Sequence, residues 1–133
     1  MSAGTEPLKI YGYLSLALKI LTVPSDTSNR VRKELDGFSA KIHGDVISDF
    51  PCYLIGQLSR DSSVPADILP GAKMIEMACD IIAQSVNAVG GRTIMIECHD
   101  DPDLIRFYRQ NHFHEIARIP DESHPMVQMI RKI

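Results

Sequence analysis

Residues 53–98 read YLIGQLSRDSSVPADILPGAKMIEMACDIIAQSVNAVGGRTIMIEC, and the way this stretch divides decides the fold. Its opening belongs to an apolar run from Pro51 to Asp61, the pattern of a strand central in a sheet. Asp61 to Leu69 is rich in Ser, Pro and Asp and predicts a loop. From Pro70 to Val89 the spacing becomes helical. Met74, Ala78, Ile81, Ile82, Ser85 and Val89 fall on one face,. Pro70 suits the first helical turn, and Gly90-Gly91 is a strong stop. Thr93 to Cys98 is a second, short apolar strand. Two strands joined through a helix imply a parallel pair.

Toward the N-terminus, Leu14, Leu16, Leu18 and Ile20 alternate with Ser15, Ala17 and Lys19. Leu, Ala and Lys favour helix, but the alternation and the bounding Pro24 predict a strand over Lys9 to Val23. Ser25 to Asn29 supply helix caps. Val31 to Phe38 then reads as a short helix ended at or just beyond Gly37. Gly44 to Asp49 reads as a polar connection.

Toward the C-terminus, Asp101 to Asn111 predicts a helix with Leu104, Ile105, Phe107 and Tyr108 on its apolar side. Acidic residues sit at its start, and Asn111 can stop it. Phe113 to Ile119 and Met126 to Ile130 read as an antiparallel pair of strands, joined by a polar turn around Pro120 to Pro125. The sum is one α/β (α+β) domain over residues 1–133, with a mixed central sheet flanked by helices.

Composition narrows the class. The chain is 44% hydrophobic and 23% charged, with a net charge of -3, so no global basic field holds nucleic acid. Arg30, Arg32, Lys33 and Lys41 form a local basic segment, read first as a solvated face. Apolar runs fall short of a membrane span. The polar lead Met1 to Glu6 is unlike a signal peptide, which makes the cytoplasm the expected compartment. Cys52, Cys79 and Cys98 lack CxxC spacing and are expected as buried, reduced thiols. His112 and His114, with Cys98 and His99, invite a metal reading. No further ligands have motif spacing, so no metal is expected, and no paired base supports Cys98 as a nucleophile.

The strand–loop–helix unit carries the chemistry. A loop running into a helix N-terminus leaves backbone N–H groups without partners, and with the helix dipole they form an anion site. Gly71 in the first turn would let a ligand approach the backbone, or is merely tolerated there. Tyr108 is either a core tyrosine of an amphipathic helix or a proton donor.

Two blocks, YLIGQLSRD followed by LPGAKMIEMACDII, and GGRTIMIECHDDPDLIRFYRQNHF with its F-Y-x-x-N-x-F ending, resemble the GNAT family of acetyl-CoA-dependent N-acetyltransferases. The resemblance covers Lys9 to Lys132. It implies an acyl-CoA held in the splay between the strands Tyr53–Arg60 and Thr93–Cys98. It implies backbone contacts from Leu58, Ser59 and Arg60 to the acyl and pantetheine arm. A pyrophosphate would lie over Leu69, Pro70, Gly71 and Ala72, with Lys73 or Arg60 as its cation. Tyr108 would be the general acid to the coenzyme sulfur; no general base is obvious, and Glu97 on that strand and His99 after it are as readily structural.

The sequence also departs from the family pattern. Leu69 stands at an earlier phosphate-loop glycine, Asp67 near the usual basic position, and Pro70 removes one N–H. Only Met1 to Leu8 precede the first strand, so part of the family's N-terminal strand–helix–helix segment is expected to be lacking. Either the chain is truncated, or another chain supplies that wall, or the acceptor cleft is open; a sheet lacking its edge element would suit a homodimer. The function implied by the resemblance is acetyl transfer to a primary amine. A narrower version is toxin-like acetylation of aminoacyl-tRNA, with Arg30–Lys41 as the RNA contact. The alternative is a non-catalytic acyl-CoA-binding or interaction module.

Overall fold

The computed structural model describes residues 10–120 and 123–133. The polar lead Met1–Glu6, the expected strand start at Lys9 and the turn residues 121–122 lie outside them. The chain runs β1 (Gly12–Thr22), α1 (Asn29–Asp36), β2 (Lys41–Ile42), β3 (Asp45–Val46), β4 (Asp49–Arg60), α2 (Gly71–Val89), β5 (Thr93–His99), α3 (Pro102–Gln110), β6 (His114–Ile119) and β7 (Met126–Lys132). Five strands form one mixed sheet in the order β1-β4-β5-β7-β6. Only β4 and β5 are parallel; the other neighbours are antiparallel.

Each face of the sheet carries a core layer. On one, α2 and α3 bury Tyr53, Ile55, Ile75, Ala78, Ile82, Ile94, Ile96, Ile105 and Val127. On the other, α1 closes over Leu21, Leu35, Phe50, Cys52, Met95 and Ile130. Strands β4 and β5 feed both layers, which is why they read as nearly continuous apolar runs.

The helix ends follow local chemistry. The Ser28 hydroxyl accepts from the Val31 N–H and caps α1, which therefore begins two residues before the expected start,. Gly37 ends it in the left-handed region at φ 95°,. Asp101 caps α3 by accepting from the Asp103 N–H, and Asn111 stands at its C-cap.

Three expectations need correction. The segment read as a polar connection begins inside a small hairpin. Lys41–Ile42 pairs with Asp45–Val46, and positive φ at His43 and Gly44 makes the tight turn that hairpins favour,. Pro70 is the N-cap of α2, not a residue of its first turn. The buried face of α2 is Met74, Ile75, Ala78 and Ile82, whereas Ile81 and Val89 are exposed. Periodicity finds the apolar stripe but not which flank the sheet reaches.

Candidate functional site

The ladder between β4 and β5 has two pairs, Tyr53 with Ile94 and Leu54 with Met95. Beyond them β4 continues to Arg60 and β5 to His99 with no pairing between them. The cause lies in β4. Opposite β1, Leu16 pairs with Ile55 and Ser15 with Gln57, which leaves Gly56 as an extra residue. Such a bulge bends its strand. A Cβ at Gly56 would lie 2.9 Å from the Ser15 hydroxyl, so glycine suits the close approach. The sequence signal for this bend is Gly56 itself, a glycine inside an apolar strand.

Leu58, Ser59 and Arg60 lie past the split, paired on their other edge with Leu14, Tyr13 and Gly12. Alternate backbone N–H groups of a strand point to opposite edges. Those of β4 that face away from β1 therefore look into the cleft. Arg60 Nη1 donates to the Leu69 carbonyl at 3.4 Å, which ties the strand end to the loop entering α2.

The start of α2 faces the same region. Lys73 N and Met74 N both return to the Pro70 carbonyl, at 3.0 and 3.2 Å. Pro70 supplies no side-chain cap. Among the described residues, the N–H groups of Gly71 and Ala72 have no partner. A 19-residue helix stands behind them, so they form an anion-binding terminus. Lys73 and Asp67 are both exposed. Gly71 has a packing role as well: a Cβ there would lie 2.8 Å from Cζ of Phe107.

Tyr108 is half-buried on α3, edge-on to Phe107 and Phe113 with ring centroids 5.1 and 5.7 Å away. Burial raises its pKa, and neighbouring Cys98 raises it further. The phenol thus stays protonated at neutral pH and can donate. Its hydroxyl makes no hydrogen bond among the described residues. Cys98 itself is pushed up by burial and by Asp100, Asp101 and Glu115, which disfavours the thiolate a nucleophile would need.

Consecutive residues of β5 point to opposite faces. Cys98 joins the layer of Tyr108, so Glu97 belongs to the other. Glu97 there accepts from Lys19 Nζ at 3.0 Å and from Gln128 Nε2 at 3.3 Å. Around it Ser15, Ala17, Lys19 and Gln57 are exposed, giving an open, polar floor beside the split.

Two candidate groups are not brought together as the spacing suggested. Arg32 is buried at 1% exposure. Its guanidinium donates to the carbonyls of Thr27, Pro24, Ser25 and Ile47 and to the Ser48 hydroxyl. It therefore fastens α1 to its flanking loops and cannot reach RNA. His112 sits in a turn at φ 71°, not in a strand, while His114 pairs with Glu34 at 3.1 Å. Among the described residues no three His, Cys, Asp or Glu side chains gather as a metal site. No helix there is long and apolar enough to cross a membrane.

No protein-family model matches the sequence, and no curated protein matches it. Solved structures do. The NatC complex bound to Gag peptide and CoA superposes with a TM-score of 0.60 at 13% identity, over 98% of this chain and 66% of that one. AtaT complexed with acetyl-methionyl-tRNAfMet gives 0.58 at 16%, over 88% and 61%. A mutant of KacT gives 0.59 at 17%, over 89% and 61%. The chain thus spans under two thirds of the length of each. At these identities the likeness establishes architecture: the chain has the fold of the GNAT acetyltransferases.

Proposed function

We propose that this chain is an N-acyltransferase that moves an acetyl group from acetyl-CoA to a primary amine. The observation that carries this reading is the split between β4 and β5. It offers free backbone donors along one lip, the bare N-terminus of α2 behind, and a protonated Tyr108 on the helical face. The pyrophosphate would rest on the N–H groups of Gly71 and Ala72, with Arg60 and Lys73 as nearby cations. The acyl and pantetheine arm would lie along Leu58–Arg60.

In the transfer step, a neutral amine nitrogen attacks the thioester carbonyl from the open floor that holds Glu97. The new C–N bond forms and the C–S bond breaks. A β4 backbone N–H stabilises the oxyanion. The amine gives up its proton to Glu97 or to water, and Tyr108 supplies one to the departing thiolate.

A narrower acceptor, the amino group of an aminoacyl-tRNA, is supported by the fold shared with AtaT and by exposed Arg30, Lys33 and Lys41. Three free cysteines are compatible with work in the reducing cytoplasm. Leu69-Pro70 and Asp67 in the phosphate loop favour a second reading, an acyl-CoA-binding module without turnover.

Calorimetry with acetyl-CoA, followed by thiol release in the presence of an amine panel and aminoacyl-tRNA, separates the readings. Binding with release supports the enzyme. Binding alone supports the module, and no binding at millimolar acetyl-CoA rejects both.

A further inference from the structure

The two edges of the sheet differ. β6 is six residues long, carries Glu115 and Arg118, and is bulged between Glu115 and Ala117. These are the devices that blunt an edge against pairing. β1 is eleven residues long, contains no proline, and has one charged residue, Lys19. Its single irregularity places the extra residue in β4, so β1 itself is unbroken. Among the described residues its outer edge pairs with nothing.

The apolar surface beside that edge continues onto α2. Glu76 on one flank of the helix pairs with Arg131 of β7 at 3.1 Å. Met77 and Ile81 lie on the opposite flank by helical geometry, hence toward β1. Both are about half exposed, and Leu18, Ile20 and Val89 are exposed at 61%, 59% and 62%. A cavity of about 380 Å³ lies between Leu18, Ile20, Tyr53 and Val89–Gly91, at the far end of β4 from the cleft. These five side chains leave on the order of 500 Å² of apolar surface, before the strand edge itself is counted. A standard interface uses about 800 Å² per partner.

We infer that a second copy of this chain covers this face, through antiparallel pairing of β1 with the partner's β1 across a two-fold axis at Ala17. Charge and register select that axis. Ala17 is the midpoint of β1, so all eleven residues pair. Leu18 then faces the partner's Leu16, and Ile20 faces the partner's Leu14, all on the α2 side. Lys19 stands opposite the partner's Ser15, away from its own copy. An axis at Lys19 would set two ammonium groups directly opposite each other, an unfavourable pairing. The result is a ten-stranded sheet whose two edges are both the blunted β6. Each polar floor around Glu97 runs on through Lys19, Ala17 and Ser15 into the partner's floor.

Sedimentation velocity and oxidative cross-linking test the inference. The wild-type chain is expected at twice its 14.8 kDa mass at micromolar concentration. Leu18→Lys combined with Ile20→Lys should weaken the dimer at least about 100-fold, with folding checked by circular dichroism because both positions are exposed in the single chain. Ala17→Cys should cross-link into a covalent dimer on oxidation, since the pair on the axis brings two Cβ atoms within disulfide reach. A monomer up to submillimolar concentration would overturn the proposal. So would a dimer that the lysine pair leaves intact, or cross-linking by Lys19→Cys in place of Ala17→Cys.

Discussion

The ring of Phe107 occupies the space that a side chain at position 71 would fill, its Cζ 2.8 Å from where a Cβ on Gly71 would stand. Glycine at the first residue of α2 thus lets α3 approach, whatever else it does for a ligand. Gly71→Ala should cost about 1–3 kcal/mol in stability by forcing the ring aside. In a Phe107→Ala background the same change should cost close to nothing, a coupling that urea denaturation of the four proteins measures. An undiminished penalty would remove the packing role. Gly71→Glu, by contrast, adds a charge at the anion site, so its effect on acetyl-CoA binding must be read against Gly71→Ala.

Tyr108→Phe keeps the ring edges that Phe107 and Phe113 contact and removes only the hydroxyl. The expected result is an unchanged acetyl-CoA Kd and turnover lower by about 10²-fold. Equal turnover in the variant would reduce Tyr108 to a core residue.

Arg32 and its sequence neighbours should separate cleanly. Arg32→Ala removes a buried side chain and the donor shared by the carbonyls of Thr27, Pro24 and Ser25, and is expected to destabilise the fold by about 3 kcal/mol. Arg30→Ala and Lys33→Ala, on exposed positions, should stay within about 0.5 kcal/mol. If aminoacyl-tRNA is the acceptor, those two changes should raise its KM without moving the melting temperature. Thermal melts of the three variants decide the first claim. A mild Arg32→Ala would contradict the anchoring role.

Burial raises the Cys52 thiol from its ordinary 9.0 to about 11. The unfolded chain therefore releases this proton near pH 9 while the folded chain keeps it. Below pH 9 the contribution is intact, and between about 9 and 11 stability falls as pH rises. Cys79, Cys98 and Tyr108, raised chiefly by burial, act in the same direction. Melting temperatures should decline over that window, less steeply in Cys52→Ala. Cys52 should also resist alkylation at pH 8 until denaturant is added; rapid labelling of the native protein would refute its burial.

Most elements were legible because local and tertiary demands agree on them. The alternation in β1, the Ser28 and Asp101 caps, the Gly37 stop and the Gly90-Gly91 break each follow from chemistry within a few residues. Of the candidate site, the sequence records only a strand–loop–helix unit and a tyrosine. Its opening depends on Gly56: a glycine inside an apolar strand hints at a bulge, but the bend it makes is set by register against a strand some forty positions earlier. Arg32 was misread for a related reason. In sequence it is one cation among several, and only the return of residues 47–48 over α1 turns it inward. Ile81 and Val89 show the same blindness, since the helical stripe is periodic but the sheet beneath it is finite.

The two-rung junction between β4 and β5 makes the sheet resemble a book with a short spine. One leaf is β1 with β4, the other β5 with β7 and β6; beyond the two rungs they are joined by the core layers on the two faces and by the Lys19–Glu97 pair. A molecule lying in the gutter and gripping both leaves would act as a clasp, restoring between them the cross-links that the missing ladder omits. Hydrogen exchange would then slow along Ile55–Arg60 and Ile96–His99 together, including at residues the molecule does not touch directly.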